Sequence, residues 1–141
     1  SAGWHHTCGV TSSGSVECWG KSDDGQSTPP ESTFESVSAG RLHTCGVTGN
    51  GSVECWGNDD YGQSTPTSST NESVSAGRYH TCGVKTDGSV ECWGWNDDGQ
   101  STPPPGTFLS VSAGFSHTCG VTSSGSLECW GDNSEGQSTP P

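Results

Sequence analysis

Short stretches of alternating apolar and polar residues recur along this chain. The stretches TFESV (33–37) and TFLSV (107–111) are typical of a short β-strand, and TNESV (70–74) is the same stretch with Asn in place of Phe. A segment that begins HTCGV and ends VECWG or LECWG follows each of them, and GQSTP then closes the unit as a turn. The pattern predicts three or four short strands per unit, joined by Gly- and Pro-rich connections, which suits a propeller blade better than a helix pair.

The whole chain is built from one repeated unit. The segment HTCGVTSSGSVECWG (6–20) recurs with few changes at 43–57, 80–94 and 117–131. Aligning on SAG gives units 1–37, 38–74, 75–111 and a shorter 112–141. A strict period of this length is the signature of solenoids and propellers, in which each unit buries a face against its neighbour. We therefore expect one all-β, propeller-type repeat domain over 1–141.

Each unit holds two Cys residues ten positions apart, with a Gly-containing turn between them. If Ser12, Ser13 and Gly14 form a three-residue hairpin loop with Gly in the left-handed conformation, Cys8 lies directly opposite Cys18. Opposed residues in an antiparallel pair are close enough for a disulfide. The register predicts four local disulfides: Cys8–Cys18, Cys45–Cys55, Cys82–Cys92 and Cys119–Cys129.

Zinc binding is the alternative for these residues, since His6, Cys8 and Cys18 offer three potential ligands per unit. We favour disulfides because structural zinc sites generally use C-x-x-C turns instead of partners across a strand pair. No metal and no cofactor is therefore expected. Disulfides form outside the reducing cytosol, so they also predict a secreted, extracellular protein.

Composition and charge narrow the possible partners. Only 26% of the residues are hydrophobic, which excludes a large aliphatic core. The formal net charge of −12 makes nucleic acid and anionic lipid poor partners. No apolar run approaches the length of a membrane span, so membrane insertion is not expected. The chain begins without Met, and we expect it to be a mature or excised piece.

The consensus SAGxxHTCGVxxxGSVECWGxxxxGQSTP resembles the repeat of the regulator of chromosome condensation family, in particular its secreted, Cys-containing bacterial members. The resemblance covers the chain four times over. It implies β-propeller blades, commonly seven per ring, and no single function, since the family includes an inhibitor of β-lactamases and a nuclear guanine nucleotide exchange factor. Four hairpins that share three TFxSV-type strands leave uncovered surfaces at both ends. The chain could close as a small ring, pair with a second copy or stack head to tail.

Two kinds of position carry candidate binding residues. The first kind shares one register in every unit. His6, His43, His80 and His117 are interpreted as hydrogen bonding to the backbone of a neighbouring blade. Trp19, Trp56, Trp93 and Trp130 are interpreted as packing between blades, with a carbohydrate-stacking platform as the alternative. Positions that differ between the units are better candidates for a ligand. These include Trp4/Arg41/Arg78/Phe115 and His5/Leu42/Tyr79/Ser116, and Trp95 stands alone in its unit. We predict ligand binding at Trp4, Tyr79, Trp95 and Phe115.

Two further features have a simpler alternative. The loops KSDDGQ, NDDYGQ, WNDDGQ and DNSEGQ are rich in carboxylates that could hold Ca²⁺, but none has the D-x-[DN]-x-[DN]-G spacing, so solvated turns are favoured. Asn50 and Asn71 fit the N-glycosylation acceptor, and Ser/Thr/Pro tracts hint at O-glycosylation. We predict a glycoprotein on this basis.

No catalytic constellation is present, so the chain is not expected to be an enzyme. The leading hypothesis is a non-catalytic extracellular structural module that self-associates, as a head-to-tail oligomer or filament, because near-identical units with mismatched ends favour repetitive association. The alternative is a carbohydrate- or protein-binding propeller, lectin-like or inhibitor-like.

Overall fold

A computed structural model describes all 141 residues, and its secondary structure consists of eleven β-strands without a helix. The strands are β1 His6–Val10, β2 Val16–Gly20, β3 Phe34–Ala39, β4 His43–Thr48, β5 Val53–Gly57, β6 Asn71–Ala76, β7 His80–Lys85, β8 Val90–Gly94, β9 Phe108–Ala113, β10 His117–Thr122 and β11 Leu127–Gly131. No helix is therefore available that could cross a membrane.

The strands form four antiparallel sheets, here called blades 1 to 4. Blade 1 pairs β1 with β2, and the other blades are β3-β4-β5, β6-β7-β8 and β9-β10-β11. Each blade packs against the next one in sequence. In blade 1 an isolated bridge between Ala2 and Thr7 lies where the other blades have their first strand. The SAG alignment cuts β3, β6 and β9 between two units, so each blade takes its first strand partly from the unit before its hairpin.

The hairpin register and all four disulfides are confirmed. Val10 pairs with Val16 and Cys8 with Cys18, and Gly14 has a φ of 85° at the end of the loop. The Cα atoms of the bonded Cys residues lie 4.0–4.2 Å apart in the four blades. No cysteine is free. Since each bridge spans only a local loop, the sequence spacing alone was sufficient to define it.

The first strand of each three-stranded blade contains a β-bulge that strict alternation does not predict. Phe34 pairs with Thr48 and Ser36 with Val47, so Glu35 is the extra residue. A bulge shifts the alternation by one position, and residues three apart then share a face. Phe34 and Val37 accordingly pack into the same apolar cluster.

The core consists of three thin clusters between blades. In the first, the Cys8–Cys18 disulfide and Val16 of blade 1 meet Phe34 and Trp56 of blade 2. The Trp56 indole N–H also donates to the main-chain oxygen of Gln26, at 2.9 Å, and Trp93 and Trp130 repeat this bond with Gln63 and Gln100. Trp19 has no described blade before it and is 60% exposed, against 9% for Trp56. The repeated Trp therefore owes its burial to the neighbouring blade and not to its own hairpin.

Candidate functional site

The turns between the first and second strands of successive blades stack on one another. Each turn closes on itself and reaches the next: the Gly40 N–H donates to His43 O at 2.9 Å, and the Arg41 N–H donates to Gly77 O at 3.1 Å. A Cβ on Gly40 would lie 2.5 Å from the Gly77 carbonyl oxygen, so this contact requires glycine. The SAG motif thereby stacks the turns of successive blades closely.

The residue after each of these glycines differs between blades, and the stacked turns bring these residues together. They are Trp4, Arg41, Arg78 and Phe115. The rings of Trp4 and Phe115, from the first and last blades, lie 5.7 Å apart between centroids. The Arg41 guanidinium lies 5.1 Å from the centre of the Trp4 ring, and that of Arg78 lies 3.8 Å from the centre of the Phe115 ring. Variable residues from all four blades thus form one patch.

A second set of rings extends this patch. The main-chain N–H of Trp95 donates to the main-chain oxygen of Tyr79 at 2.8 Å. This bond holds the chain that leaves blade 3 beside the turn that precedes β7. The rings of Tyr79 and Trp95 lie 5.6 Å apart, and Tyr61 from the blade 2 loop lies 5.0 Å from Tyr79 and 5.7 Å from Trp95. The axial cluster is defined here as Trp4, Arg41, Tyr61, Arg78, Tyr79, Trp95 and Phe115.

Both arginines are stacked between aromatic rings. Arg41 lies between Trp4 and Tyr79, 5.1 Å from each ring centre, and donates a hydrogen bond to the Tyr79 hydroxyl. Arg78 lies 4.6 Å from the Tyr79 ring and 3.8 Å from the Phe115 ring. Cation–π contacts of this kind stabilise a guanidinium and restrict its orientation.

The arginines lack acidic partners. The ion pairs of the protein are Lys21–Asp23 at 3.2 Å and Lys85–Asp87 at 4.0 Å, and both involve lysine. The buried Nε of Arg78 has no hydrogen-bond partner. A protein with sixteen acidic residues and four basic ones thus keeps two of its cations free of carboxylates.

A cavity of about 300 Å³ opens next to the arginine of blade 3. It is lined by the Ala–Gly pairs that precede the variable position in all four blades, together with Trp4, Arg78 and Phe115. This volume lies at the lower end of the range of ligand-binding pockets. The cavity has room for one small group.

Below the turns, the repeated histidines bridge neighbouring blades. The His43 Nε2 lies 2.8 Å from Thr81 Oγ1, and this hydroxyl donates to the main-chain oxygen of Gln63 at 3.0 Å. His6 and His80 make the same contact with Thr44 and Thr118. Because the Thr hydrogen is used toward Gln, the His Nε2 must carry the proton and donate it. The interpretation of the histidines as links between blades is thus confirmed for these three, with a Thr side chain as partner instead of backbone.

Burial keeps these imidazoles neutral. Loss of hydration lowers the pKa of His43 to about 3 and that of His80 to about 4, with smaller effects from neighbouring histidines in the same direction. The pKa of His6 is lowered for the same reason. The Nδ1 atoms of all three are buried without a partner. These histidines therefore hold the blades together as neutral donors.

A family model and solved structures place this fold among known proteins. The model for the regulator of chromosome condensation (RCC1) repeat matches residues 1–26, 34–63, 72–100 and 108–137. The chain belongs to the RCC1 repeat family. No curated protein sequence matches this RCC1-repeat chain.

The solved structures include two plant receptors. The CRINKLY ectodomain of the Arabidopsis thaliana receptor kinase ACR4 is 32% identical, with a TM-score of 0.78, over 93% of this chain and 49% of the receptor chain. The ectodomain of the Physcomitrella patens receptor kinase CR4 is 31% identical, with a TM-score of 0.79, over 92% and 39%. Prp20p from Saccharomyces cerevisiae, described with its binding to Gsp1p and histones, shares the fold at 19% identity and a TM-score of 0.80, over 92% and 44%. The RCC1-repeat chain spans less than half of each of these chains.

The four ligand-binding residues predicted from the sequence all lie in the axial cluster, and their role in binding stays a prediction. The sequence prediction omitted Tyr61 and did not assign roles to the two arginines. Tyr61 occupies the position held by Asp24, Asp98 and Glu135 in the other loops. This departure from the repeat was the available signal.

Two acidic loops contribute Tyr61 and Trp95 to the axial cluster, but none of the loop carboxylates and neither predicted glycosylation site belongs to it. Carboxylates of the loops cap the turns themselves; Asp59, for example, accepts from Ser64 N at 2.7 Å and from Thr65 Oγ1 at 2.7 Å. No group of three or more potential metal ligands is present. Asn50 is exposed at a hairpin tip, and its glycosylation stays a prediction.

Asn71 does not have the exposure that the predicted glycosylation needs. It is 2% exposed and its amide donates to Ser69 O and Glu91 Oε1, both at 3.2 Å. It occupies the buried position that Phe34 and Phe108 fill in the neighbouring blades. A glycan on this amide is incompatible with the folded blade, because the nitrogen has no access to solvent.

Proposed function

We propose that this RCC1-repeat chain is a non-catalytic binding module of an extracellular protein, and that a protein partner docks on the axial cluster. The observation that carries the proposal is the convergence of the variable positions. Packing between near-identical units explains positions that hold the same residue in every unit. It does not explain why the residue after the SAG glycine is Trp, Arg, Arg and Phe in the four blades. Exposed Trp, Tyr and Arg are the residues enriched at the centres of protein interfaces.

The extracellular location is supported by two observations. All eight cysteines are paired in disulfides, which persist in oxidising compartments. The two receptor-kinase structures that are more than 30% identical to this chain are ectodomains. Since the chain spans less than half of those structures, their full functions are not transferred to it.

A protein ligand fits the cluster better than a neutral glycan. Sugars bind by stacking on free aromatic faces, but here the guanidinium groups of Arg41 and Arg78 already cover faces of Trp4, Tyr79 and Phe115. A partner therefore meets ring edges and guanidinium N–H groups. Such groups suit the mixed polar and apolar surface of a protein.

An array of extracellular protein domains and glycans tests this proposal. The chain is compared with Trp4→Ser and with the matched control Trp19→Ser, which removes a Trp of similar exposure from the end face, 60% against 52% for Trp4. We expect a protein domain that binds the unmodified chain and Trp19→Ser but binds Trp4→Ser at least tenfold more weakly. Binding that survives Trp4→Ser would place the ligand elsewhere, and binding to glycans alone would favour the lectin-like alternative.

Self-association is the second candidate function, and the two end faces favour it. Blade 4 presents a groove of about 200 Å³ lined by Val111, Cys119, Val121 and Leu127, on the face where the other blades receive a Trp. Blade 1 presents Trp19, which has no such groove to enter. A second copy could place its Trp19 on blade 4 of the first and repeat the contact between blades, as a head-to-tail assembly does.

Light scattering during size-exclusion chromatography tests this assembly. We expect oligomers whose mass rises with concentration for the unmodified chain, and a monomer for Trp19→Ser. The Trp4→Ser variant is the control, and it should assemble normally. A monomer at all concentrations, or an oligomer unaffected by Trp19→Ser, contradicts head-to-tail assembly.

A further inference from the structure

We infer that Arg41 and Arg78 together form a recognition site for a carboxylate of the partner protein, with the carboxylate entering the axial cavity beside Arg78. This inference rests on the proposed binding function and names the chemistry that the site recognises. It begins from the two guanidinium groups, which are the cations of the protein without an acidic neighbour.

The absence of acidic partners is informative because acidic residues are plentiful. With sixteen acidic side chains and four basic ones, each cation has ample opportunity to pair, and both lysines do so. The arginines come from equivalent positions of adjacent blades, and their guanidinium groups lie against aromatic rings. The only side-chain hydrogen bond that either of them makes runs from Arg41 to the Tyr79 hydroxyl.

Arg78 has an unsatisfied donor. Its Nε is buried, has no partner, and belongs to a residue that lines the cavity. A buried N–H without an acceptor destabilises the free protein, and a ligand that supplies an acceptor regains that energy. Guanidinium N–H groups match the two oxygens of a carboxylate, and the stacking rings hold the fork in place before binding.

The size and the charge of the site define the ligand further. About 300 Å³ admits one small group, and its walls are Ala and Gly surfaces with the Trp4 and Phe115 rings at the rim. A polyanion such as nucleic acid would be repelled by the net charge of −12. A single carboxylate in the cavity meets Arg78 and no acidic residue of the lining, and Arg41 contacts the same Tyr79 ring as Arg78. The site therefore suits an Asp or Glu side chain, or a chain end, beside an apolar residue.

NMR titration of the ¹⁵N-labelled chain at 150 mM salt tests the inference, with shifts of the arginine Nε–H and indole N–H signals as the readout. The probes are N-acetyl-Gly-Phe with a free terminal carboxylate, N-acetyl-Asp-Phe-amide with a side-chain carboxylate, and the uncharged N-acetyl-Gly-Phe-amide. N-acetylneuraminate serves as an acidic sugar. We expect saturable shifts with one or both peptide acids, and binding of the uncharged amide weaker by roughly tenfold or more, the loss typical of a missing charge-assisted hydrogen bond.

Variants connect the binding to the two residues. Arg41→Gln and Arg78→Gln should each weaken binding of the peptide acid by roughly tenfold, because each removes a charged donor. Lys85→Gln makes the same change in net charge at the end of β7 that is remote from the stacked turns, and it should change the affinity less than twofold. Arg41→Lys and Arg78→Lys keep the charge and lose the planar fork, so they should recover only part of the affinity.

The outcomes separate this inference from the proposed function. Equal binding of acid and amide, or equal weakening by Lys85→Gln, overturns the carboxylate site. Tighter binding of N-acetylneuraminate than of either peptide would show that the recognised carboxylate belongs to a sugar and not to a protein. If binding of the array ligand requires Trp4 but neither arginine, the axial cluster remains the binding surface and the carboxylate assignment is wrong. If binding of no ligand requires Trp4, the proposed function is wrong.

Discussion

Acidification should destabilise this protein well before its carboxylates are protonated, through the histidines between the blades. In the folded chain the pKa of His43 is lowered to about 3 and that of His80 to about 4, mainly by burial. Their unfolded pKa is about 6.5. The unfolded chain therefore binds more protons below pH 6.5, and the free energy of unfolding falls as the pH drops from 6.5 toward these folded values.

The expected magnitude follows from the unfolded pKa alone at pH 5. Both rings are still neutral in the folded protein at that pH, so the exact folded values hardly matter. Each histidine then lowers the free energy of unfolding by about 2 kcal/mol, because the pH lies about 1.5 units below the unfolded pKa and each unit corresponds to about 1.4 kcal/mol. Besides burial, three neighbouring residues shift the pKa of His43: His80 and His6 lower it, and Asp59 raises it. The two residues together predict a loss of about 4 kcal/mol between pH 7 and pH 5.

Urea unfolding followed by Trp fluorescence at pH 7 and pH 5 measures this loss. His43→Gln keeps a donor for Thr81 without a titrating group and should lose about 2 kcal/mol less on acidification than the unmodified chain, and adding His80→Gln should remove most of the rest. His117→Gln is a control for packing at pH 7, since its ring makes no hydrogen bond to a further blade. If the double variant keeps the full pH dependence, His43 and His80 are not its source.

Three further predictions concern the contacts between blades, each read out as the free energy of unfolding in urea. Trp56→Ala should lower the free energy of unfolding by about 3–5 kcal/mol, because the ring is buried and hydrogen-bonded to Gln26. Trp19→Ala should change it by no more than about 0.5 kcal/mol. Equal losses would mean that the contact between blades does not contribute to stability. Replacing Cys45 and Cys55 by Ala should lower the free energy of unfolding by about 3 kcal/mol, since the disulfide restricts the unfolded chain. The same change at Cys119 and Cys129 should lower it by nearly as much. A much smaller loss at the second pair would mean that the first disulfide acts through packing and not through loop entropy. Asn71→Phe should stabilise the protein by about 1 kcal/mol, because it removes a buried, unpartnered amide oxygen and restores the ring that Trp56 and Trp130 contact in their own blades. A destabilised variant would show that the hydrogen bonds of the Asn71 amide to Ser69 and Glu91 outweigh this gain.

The sequence by itself determined the features that depend on neighbours along the chain. Turn residues and alternation placed Cys8 opposite Cys18, and the same hairpin recurred with every period. Such features are local, because a hairpin register follows from its own loop. The β-bulge at Glu35 was not predicted, since apolar residues three apart in a strand make sense only when the pairing is known.

Only the tertiary structure decided which residues meet. Trp19 and Trp56 stand in nearly the same local sequence, yet one is exposed and the other buried, because burial is supplied by the adjacent blade. Trp4 and Phe115 are 111 positions apart and come within 5.7 Å because the stacked turns curve the four blades toward a common axis. That curvature is a property of how blade packs on blade, and no single repeat contains it.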